Sequence, residues 1–180
     1  MHAHLAVVLR VLDEAGSELR KAAADVPKGA FALKPAPERW SAAELLEHLA
    51  LAEANFVKWI EDGITAARAK GLGAEAREFT ALPERIRTVL GDRVNRRNAP
   101  ERVQPKGGKT EAEVWLAIGG IEDALRRVLA DADGLALSEV IVEHPSLGPL
   151  NIYQWVELIA AHRRRHVAQL QEIAAAVTAM

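Results

Sequence analysis

The most informative stretch of the chain lies near its C-terminus and reads WVELIAAHRRRHVAQL, residues 155–170. Helical periodicity places His162 and His166, four positions apart, on the same side of a helix. That side is otherwise apolar, and its residues at helical spacing are Trp155, Ile159, His162, His166, Leu170 and Ile173. We therefore expect both imidazoles to face the core, where a buried polar ring needs a partner.

A third histidine lies on the apolar side of an upstream helix. His48 shares that side with aliphatic and aromatic residues, namely Leu45, Leu49, Ala52, Phe56 and Ile60. A single buried histidine is more often a satisfied core residue than a ligand, but three core-facing histidines together suggest a metal site. The alternative is a metal-free core in which the three rings hydrogen-bond to neighbouring groups.

Composition limits the classes of protein to which the chain can belong. Its 180 residues, 49% of them hydrophobic, predict one domain over residues 1–180 with a single sizeable core. The net charge of -2 provides no overall field for nucleic acid, and the lack of cysteine excludes disulfides and thiolate ligands. No stretch approaches the ~18 apolar residues of a membrane span, and no signal segment is recognisable. We expect a cytoplasmic protein that binds neither membrane nor nucleic acid.

Helix signals recur along the chain. Capping boxes are expected at Ser41 with Glu44 and at Thr110 with Glu113, and Asn151 is a suitable cap for the last helix. Long helices are thus predicted over residues 2–24, 42–70, 110–131 and from 151 onward. A shorter helix is expected at 83–95, a long loop at 93–109, an extended segment at 135–143 and a turn at 144–150. Four long helices with long connections predict an all-α four-helix bundle.

Two stretches resemble the DinB-like (DinB/YfiT) family. RWSAAELLEHLALAE at residues 39–53 is similar to the second-helix signature of that family. HPSLGPLN at 144–151 and the later H-x-x-x-H-x-x-Q-L pattern resemble its turn and its terminal helix, whereas residues 70–110 carry little of the signature. The resemblance implies a four-helix bundle with long crossover connections, commonly a homodimer. It also implies a divalent metal bound by His48, His162 and His166.

Three neutral imidazoles favour zinc or nickel, with iron or cobalt as alternatives, over calcium or magnesium. Three protein ligands leave an open position, as in catalytic sites. His144 could be a fourth ligand, but its place in a Pro- and Gly-containing turn favours a structural role. Arg163 stands where the H-E-x-x-H motif has its glutamate, so peptide hydrolysis by that route is not expected and no catalytic side chain is assigned.

The remaining polar residues receive simpler interpretations. Glu47 and Glu53 are expected to be solvated or interface charges, with support of the histidine ligands as the less favoured alternative. The arginines at 163–165 are expected on a solvated helix face, although one of them, or Arg96 or Arg97, is a candidate to bind a substrate carboxylate. The four tryptophans are expected in the core or at a dimer interface. Two further residues, Tyr153 and Asn55, have suitable chemistry for orienting a substrate, but the sequence does not locate them at the site.

The resemblance implies thiol-dependent S-transfer, isomerisation or metal-dependent hydrolysis, since the family includes enzymes of each kind. The leading hypothesis is a metal-dependent enzyme that activates a thiol or water for reaction with a small substrate, with a low-molecular-weight thiol as the favoured partner. The first alternative is a non-catalytic, stress-associated dimeric bundle that binds a metal or a small ligand. The second is a purely structural bundle without metal.

Overall fold

The computed structural model describes residues 1–94 and 98–180. It contains four long helices, α1 (Ala3–Ala24), α2 (Ala42–Ala69), α4 (Glu111–Asp131) and α5 (Ile152–Thr178), with a short helix α3 (Glu84–Gly91) and a 3₁₀ helix Glu101–Val103 between α2 and α4. The predicted all-α four-helix bundle is confirmed. The short helix ends at Gly91, and residue 95, where it was predicted to end, lies outside the described residues.

Three of the long helices begin with a reciprocal capping box. In each, the cap side chain accepts from the backbone N–H three residues on, and the side chain at that position accepts from the cap N–H. The pairs are Ser41 with Glu44, Thr110 with Glu113, and Asn151 with Gln154. The first two boxes confirm the sequence prediction, and Gln154 adds the partner that was not foreseen for Asn151. Each box satisfies donors that would otherwise lack a partner at the start of a helix.

The helices pack with α1 along α5, and with α2 against both α4 and α5. Their buried apolar side chains form two clusters. One cluster contains side chains from the N-terminal halves of α1 and α5 and from the C-terminal halves of α2 and α4. The other contains side chains from the C-terminal halves of α1 and α5 and from the N-terminal halves of α2 and α4. In the part of the chain that the structure describes, no helix is both long and apolar enough to cross a bilayer.

A layer of polar side chains lies between the two apolar clusters. It contains the histidines of α2 and α5 and a buried ion pair between Glu53 of α2 and Arg163 of α5. Neither half of the core includes these residues. The single core expected from the sequence is therefore divided by a polar layer, and the single domain over residues 1–180 stays a prediction.

A small hairpin precedes the last helix. Strand β1 (Ile141–His144) pairs antiparallel with β2 (Gly148–Asn151), with His144 opposite Gly148 and Ile141 opposite Asn151. The sequence predicted an extended segment and a turn here but no second strand, and Pro149 is a residue that sheets rarely contain. A two-stranded sheet tolerates it, since each strand keeps one edge without hydrogen bonds. Gly148 has a φ of +86°, which explains glycine at the end of the turn.

Candidate metal centre

Three imidazoles converge in the polar layer. His48 comes from α2, and His162 and His166 come from successive turns of α5. One ring nitrogen from each lies within 4.8 Å of the others, and the Nε2 atoms of His162 and His166 are 3.1 Å apart. Two imidazoles bound to a tetrahedral ion with bonds of about 2.0–2.1 Å have nitrogens about 3.3 Å apart. The three residues could therefore hold a metal ion.

Hydrogen bonds on the outer side orient two of the rings. Nδ1 of His48 donates to the carbonyl of Val103, 2.8 Å away in the 3₁₀ helix. Nδ1 of His166 donates to Oε1 of Gln169, one turn further along α5. Both bonds place the proton on Nδ1 and leave Nε2 with a free lone pair. This arrangement is typical of metal-binding histidines, whose second nitrogen is held by a carbonyl or a carboxylate.

The position of the proton on His162 differs between the two interpretations of the cluster, a metal site and a metal-free hydrogen-bonded core. Its Nδ1 is buried and has no hydrogen-bond partner. Without a metal, its Nε2–H would donate to the bare Nε2 of His166, and the group would be a hydrogen-bonded core. With a metal, both Nε2 lone pairs would point at the ion, whose positive charge would offset the repulsion between two lone pairs 3.1 Å apart.

Burial keeps all three rings neutral. It lowers the pKa of His48 against the opposing effect of the Val103 carbonyl. Burial, with the neighbouring imidazoles, lowers the pKa of His162 well below its usual range. Burial lowers the pKa of His166 to about 3, although its bond to Gln169 acts in the opposite direction. Neutral imidazole is the form that binds metals, so the cluster is ready for a cation at neutral pH.

The cluster opens into a cavity of about 560 Å³. Its walls are mainly aromatic and aliphatic, from α2, α3, the segment around the 3₁₀ helix, the hairpin turn and α5. Apart from the three imidazoles, the polar and charged groups on its lining are Asn55, Asn98, Arg102, His144, Ser146, Arg165 and Gln169. The segment 98–103 therefore forms one wall of the cavity. A volume of this size suits a small organic molecule.

His144 lines the cavity but lies outside the three-histidine cluster. Its Nδ1 accepts the backbone N–H groups of Ser146 and Leu147, both at 3.2 Å. These bonds close the hairpin turn, as expected for a structural role. They also leave the proton of the neutral ring on Nε2. Burial, with the nearby Arg102, lowers the pKa of His144, which keeps the ring neutral.

Two glutamates of α2 differ from the sequence prediction. Glu53 is 1% exposed and accepts two hydrogen bonds from Arg163, at 2.8 and 2.6 Å. Glu47 is also buried and accepts the backbone N–H of Gly107. The prediction of solvated or interface charges was wrong for both. The periodicity did place them away from the apolar stripe, but the sequence could not show that each has a partner across the fold.

The three consecutive arginines of α5 have three different environments. Arg163 is buried with Glu53, so the predicted solvated face is wrong at that position. Arg164 is exposed and pairs with Glu18, as expected for such a face. Arg165 lines the cavity and donates to the carbonyls of Leu90 and Asp92. Arg96 and Arg97, the other candidates for a carboxylate contact, lie outside the described residues.

The aromatic residues divide between core and cavity. Trp155 is fully buried and donates from Nε1 to the carbonyl of Val142. Trp40 and Trp59 line the cavity, a role that the sequence did not indicate. Asn55 also lines it, whereas Tyr153 is buried elsewhere, beside His4 and Phe79.

Besides Trp40 and Trp59, sequence reasoning missed Val103, Arg102 and Gln169. Val103 and Arg102 belong to a segment without recognisable periodicity, so no pattern could have identified them. Gln169 follows His166 by three positions, one helical turn, and this i, i+3 spacing was the available signal for its contact.

Comparisons with known proteins agree with the geometry. A family model described as the DinB superfamily matches residues 11–170. The chain is also similar to the uncharacterized protein YuaE of Bacillus subtilis (strain 168), with 27% identity over 145 residues, 78% of this chain and 80% of that relative. No solved structure matches the chain. The matched range includes all three histidines of the cluster.

Proposed function

The chain belongs to the DinB superfamily, and from that premise we propose that it is a metal-dependent enzyme acting on a small substrate. In this proposal His48, His162 and His166 bind a divalent transition metal, with zinc or nickel preferred for three imidazole ligands. The observation that carries the proposal is the convergence of three neutral imidazoles on the wall of a cavity. A closed structural site would provide a fourth ligand and no cavity.

The open position supplies the chemistry. A divalent ion held there would lower the pKa of a thiol or a water bound next to it, and so provide an anionic nucleophile at neutral pH. Val103 and Gln169 orient two of the three ligands, His48 and His166. Phe56 and Trp59 contribute apolar wall to the cavity beside these ligands.

We favour S-transfer by a low-molecular-weight thiol over hydrolysis. Metal-dependent hydrolysis commonly uses a glutamate as general base for the attacking water. Among the described residues, no aspartate or glutamate lines the cavity. A thiol, with an ordinary pKa of about 8.5, needs a far smaller shift than water at about 15.7 and no general base. The cavity therefore suits a thiol nucleophile better.

The test begins with elemental analysis of untagged protein purified without chelator. We expect close to one transition metal per chain, and loss of that metal in His48→Ala. His144→Asn is the matched control, because it changes a cavity histidine outside the cluster and should retain the metal. No metal in the wild type, even after reconstitution with zinc or nickel, would refute the proposal. Metal that survives His48→Ala would refute the ligand set.

Activity is tested with the metal-loaded protein, L-cysteine and 1-chloro-2,4-dinitrobenzene. In this reaction the thiolate sulfur forms a bond to the aryl carbon, chloride leaves with its bonding electrons, and the thiol proton goes to solvent. We expect a rate above the uncatalysed reaction that disappears in His48→Ala. A metal-loaded protein without such activity towards a panel of small thiols and electrophiles would support the non-catalytic binding bundle instead.

The homodimer also stays a prediction. Light scattering coupled to size exclusion should give about twice the chain mass of 19.6 kDa. A mass of one chain would contradict it.

A further inference from the structure

Arg102 has a different environment from the other arginines around the candidate site. Arg93 pairs with Glu172, Arg164 pairs with Glu18, and Arg165 donates to backbone carbonyls. Arg102 forms no ion pair with any described carboxylate, and its guanidinium stands over the ring of Trp59, 5.7 Å from the centroid. It is exposed at one side of the cavity that it lines.

The cavity has an unbalanced positive charge. Its described lining contains two arginines and no carboxylate. The three imidazoles are neutral, so a divalent ion bound to them would add two further positive charges with none to offset them. A ligand with a negative group would lower this electrostatic energy, and the low-dielectric aromatic walls strengthen the effect.

The guanidinium is also oriented for recognition. Stacking over Trp59 restricts the Arg102 side chain, so less conformational entropy is lost when it binds a ligand. A planar guanidinium that pairs with no described carboxylate can form two parallel hydrogen bonds to a ligand carboxylate. The same ring of Trp59, with Phe56 beside it at 5.9 Å between centroids, offers an apolar surface for the body of the ligand.

We propose that Arg102 recognises the carboxylate of a small, largely apolar substrate whose opposite end reaches the three-histidine cluster. The proposal rests on the proposed function for the reactive end of the substrate, but the carboxylate contact itself requires no metal. It makes Arg102 a specificity-determining residue. The substrate class is that of aryl or alkyl carboxylates small enough for a cavity of about 560 Å³.

The test compares 3-phenylpropanoate with 3-phenylpropanamide by isothermal titration calorimetry. The two probes have nearly the same shape and differ in charge. We expect the acid to bind the wild-type protein at least about tenfold more tightly than the amide, from a charge-assisted bidentate contact. Arg102→Gln should abolish this preference and leave amide binding nearly unchanged. Arg127→Gln is the matched control, because it removes an exposed arginine of α4 that does not line the cavity.

Both probes are titrated into metal-free and zinc-loaded protein, which separates this proposal from the metal site. Loss of the acid preference in Arg102→Gln, in both forms, is the expected result. A preference that appears only with zinc and persists in Arg102→Gln would place the carboxylate on the metal and overturn the proposal. Equal binding of acid and amide, or no binding of the acid to the wild type, would also overturn it. Absence of bound zinc would contradict the proposed function alone, because the metal-free titration still measures the role of Arg102.

Discussion

Replacing Glu53 with glutamine changes one charge at the contact between α2 and α5. Glu53 and Arg163 are each 1% exposed, and two hydrogen bonds of 2.8 and 2.6 Å join them. A third group, Glu122 of α4, accepts from Nη1 of the same guanidinium at 2.5 Å. The burial of Glu53 raises its pKa, and the guanidinium of Arg163 opposes that effect. The substitution therefore leaves a buried guanidinium with only one charged partner.

The expected loss of unfolding free energy is about 3 kcal/mol. Removing one member of a buried ion pair costs about 3–5 kcal/mol, because the remaining charge stays desolvated. We take the lower end because Glu122 still accepts from Arg163 and the new amide oxygen can accept one bond. For a chain of this length, about 3 kcal/mol corresponds to a fall of about 6–12 °C in Tm.

The assay is urea unfolding of metal-free protein at pH 7, followed by circular dichroism. Metal-free protein is used so that ligand binding does not contribute to the measured free energy. Glu139→Gln is the control, because Glu139 forms an exposed ion pair with Arg77. An exposed pair contributes at most about 1 kcal/mol. The denaturant dependence should stay the same in both variants, since neither changes the surface exposed on unfolding.

A loss in Glu53→Gln no larger than that of the control would refute the reasoning. The double variant Glu53→Gln, Arg163→Met tests its cause. If the cost comes from an undercompensated charge, removing that charge should recover part of the stability. If the double variant loses at least the sum of the two single losses, the ion pair acts through packing and not through charge.

Three further predictions concern the helices and the titrating groups. A Cβ at Gly16 would lie 3.1 Å from the buried guanidinium of Arg163, whereas a Cβ at Gly120 would meet open space. Gly120→Ala should therefore raise Tm by about 2–4 °C, because alanine favours the helix more than glycine does, and Gly16→Ala should lower Tm. Equal shifts of the two variants in thermal melts would contradict this prediction. Burial holds the pKa of His166 at about 3, below the ordinary 6.5, so the unfolded state binds more protons between these values. The metal-free protein should lose stability as the pH falls from 6.5 towards about 3, and His166→Gln should flatten urea-unfolding profiles in that window; an unchanged slope would count against the assignment. Burial acts to raise the pKa of Glu75, but hydrogen bonds from Ser138 outweigh this effect and lower the pKa to about 2. The ionised Glu75 therefore stabilises the folded protein above pH 4.5, and this stabilisation is lost as the pH falls towards 2. Ser138→Ala should therefore destabilise the protein more at pH 6 than at pH 2.5, and an equal loss at both would show that the bond is not charge-assisted.

Local patterns were sufficient for the helices and for the histidines. Helical periodicity put His162 and His166 on one face, and the capping residues Ser41 and Thr110 marked where two helices begin. These features depend on interactions within one or two turns, so the order of residues specifies them directly. The four-helix class follows from the number and length of such segments.

The environments of the charged residues could be found only from the way in which the helices pack. Arg163 and Arg164 are neighbours with the same chemistry, yet one is buried with Glu53 and the other is exposed beside Glu18. The 100° rotation between successive helical residues directs the two arginines to different sides of α5. Which carboxylate each arginine contacts depends on residues more than 100 positions away in the chain.

The cavity also depends on contacts between residues that are far apart in the chain. Periodicity shows which face of a helix is apolar, and it identified His48, His162 and His166 as core-facing from the amino-acid order alone. It carries no information on a segment without periodicity, and Val103 and Arg102 come from such a segment. Their positions beside His48 and Trp59 arise from packing of the loop across the bundle. The core-facing positions of the three histidines are thus a property of local sequence, whereas their convergence and the shape and charge of the cavity arise from long-range contacts.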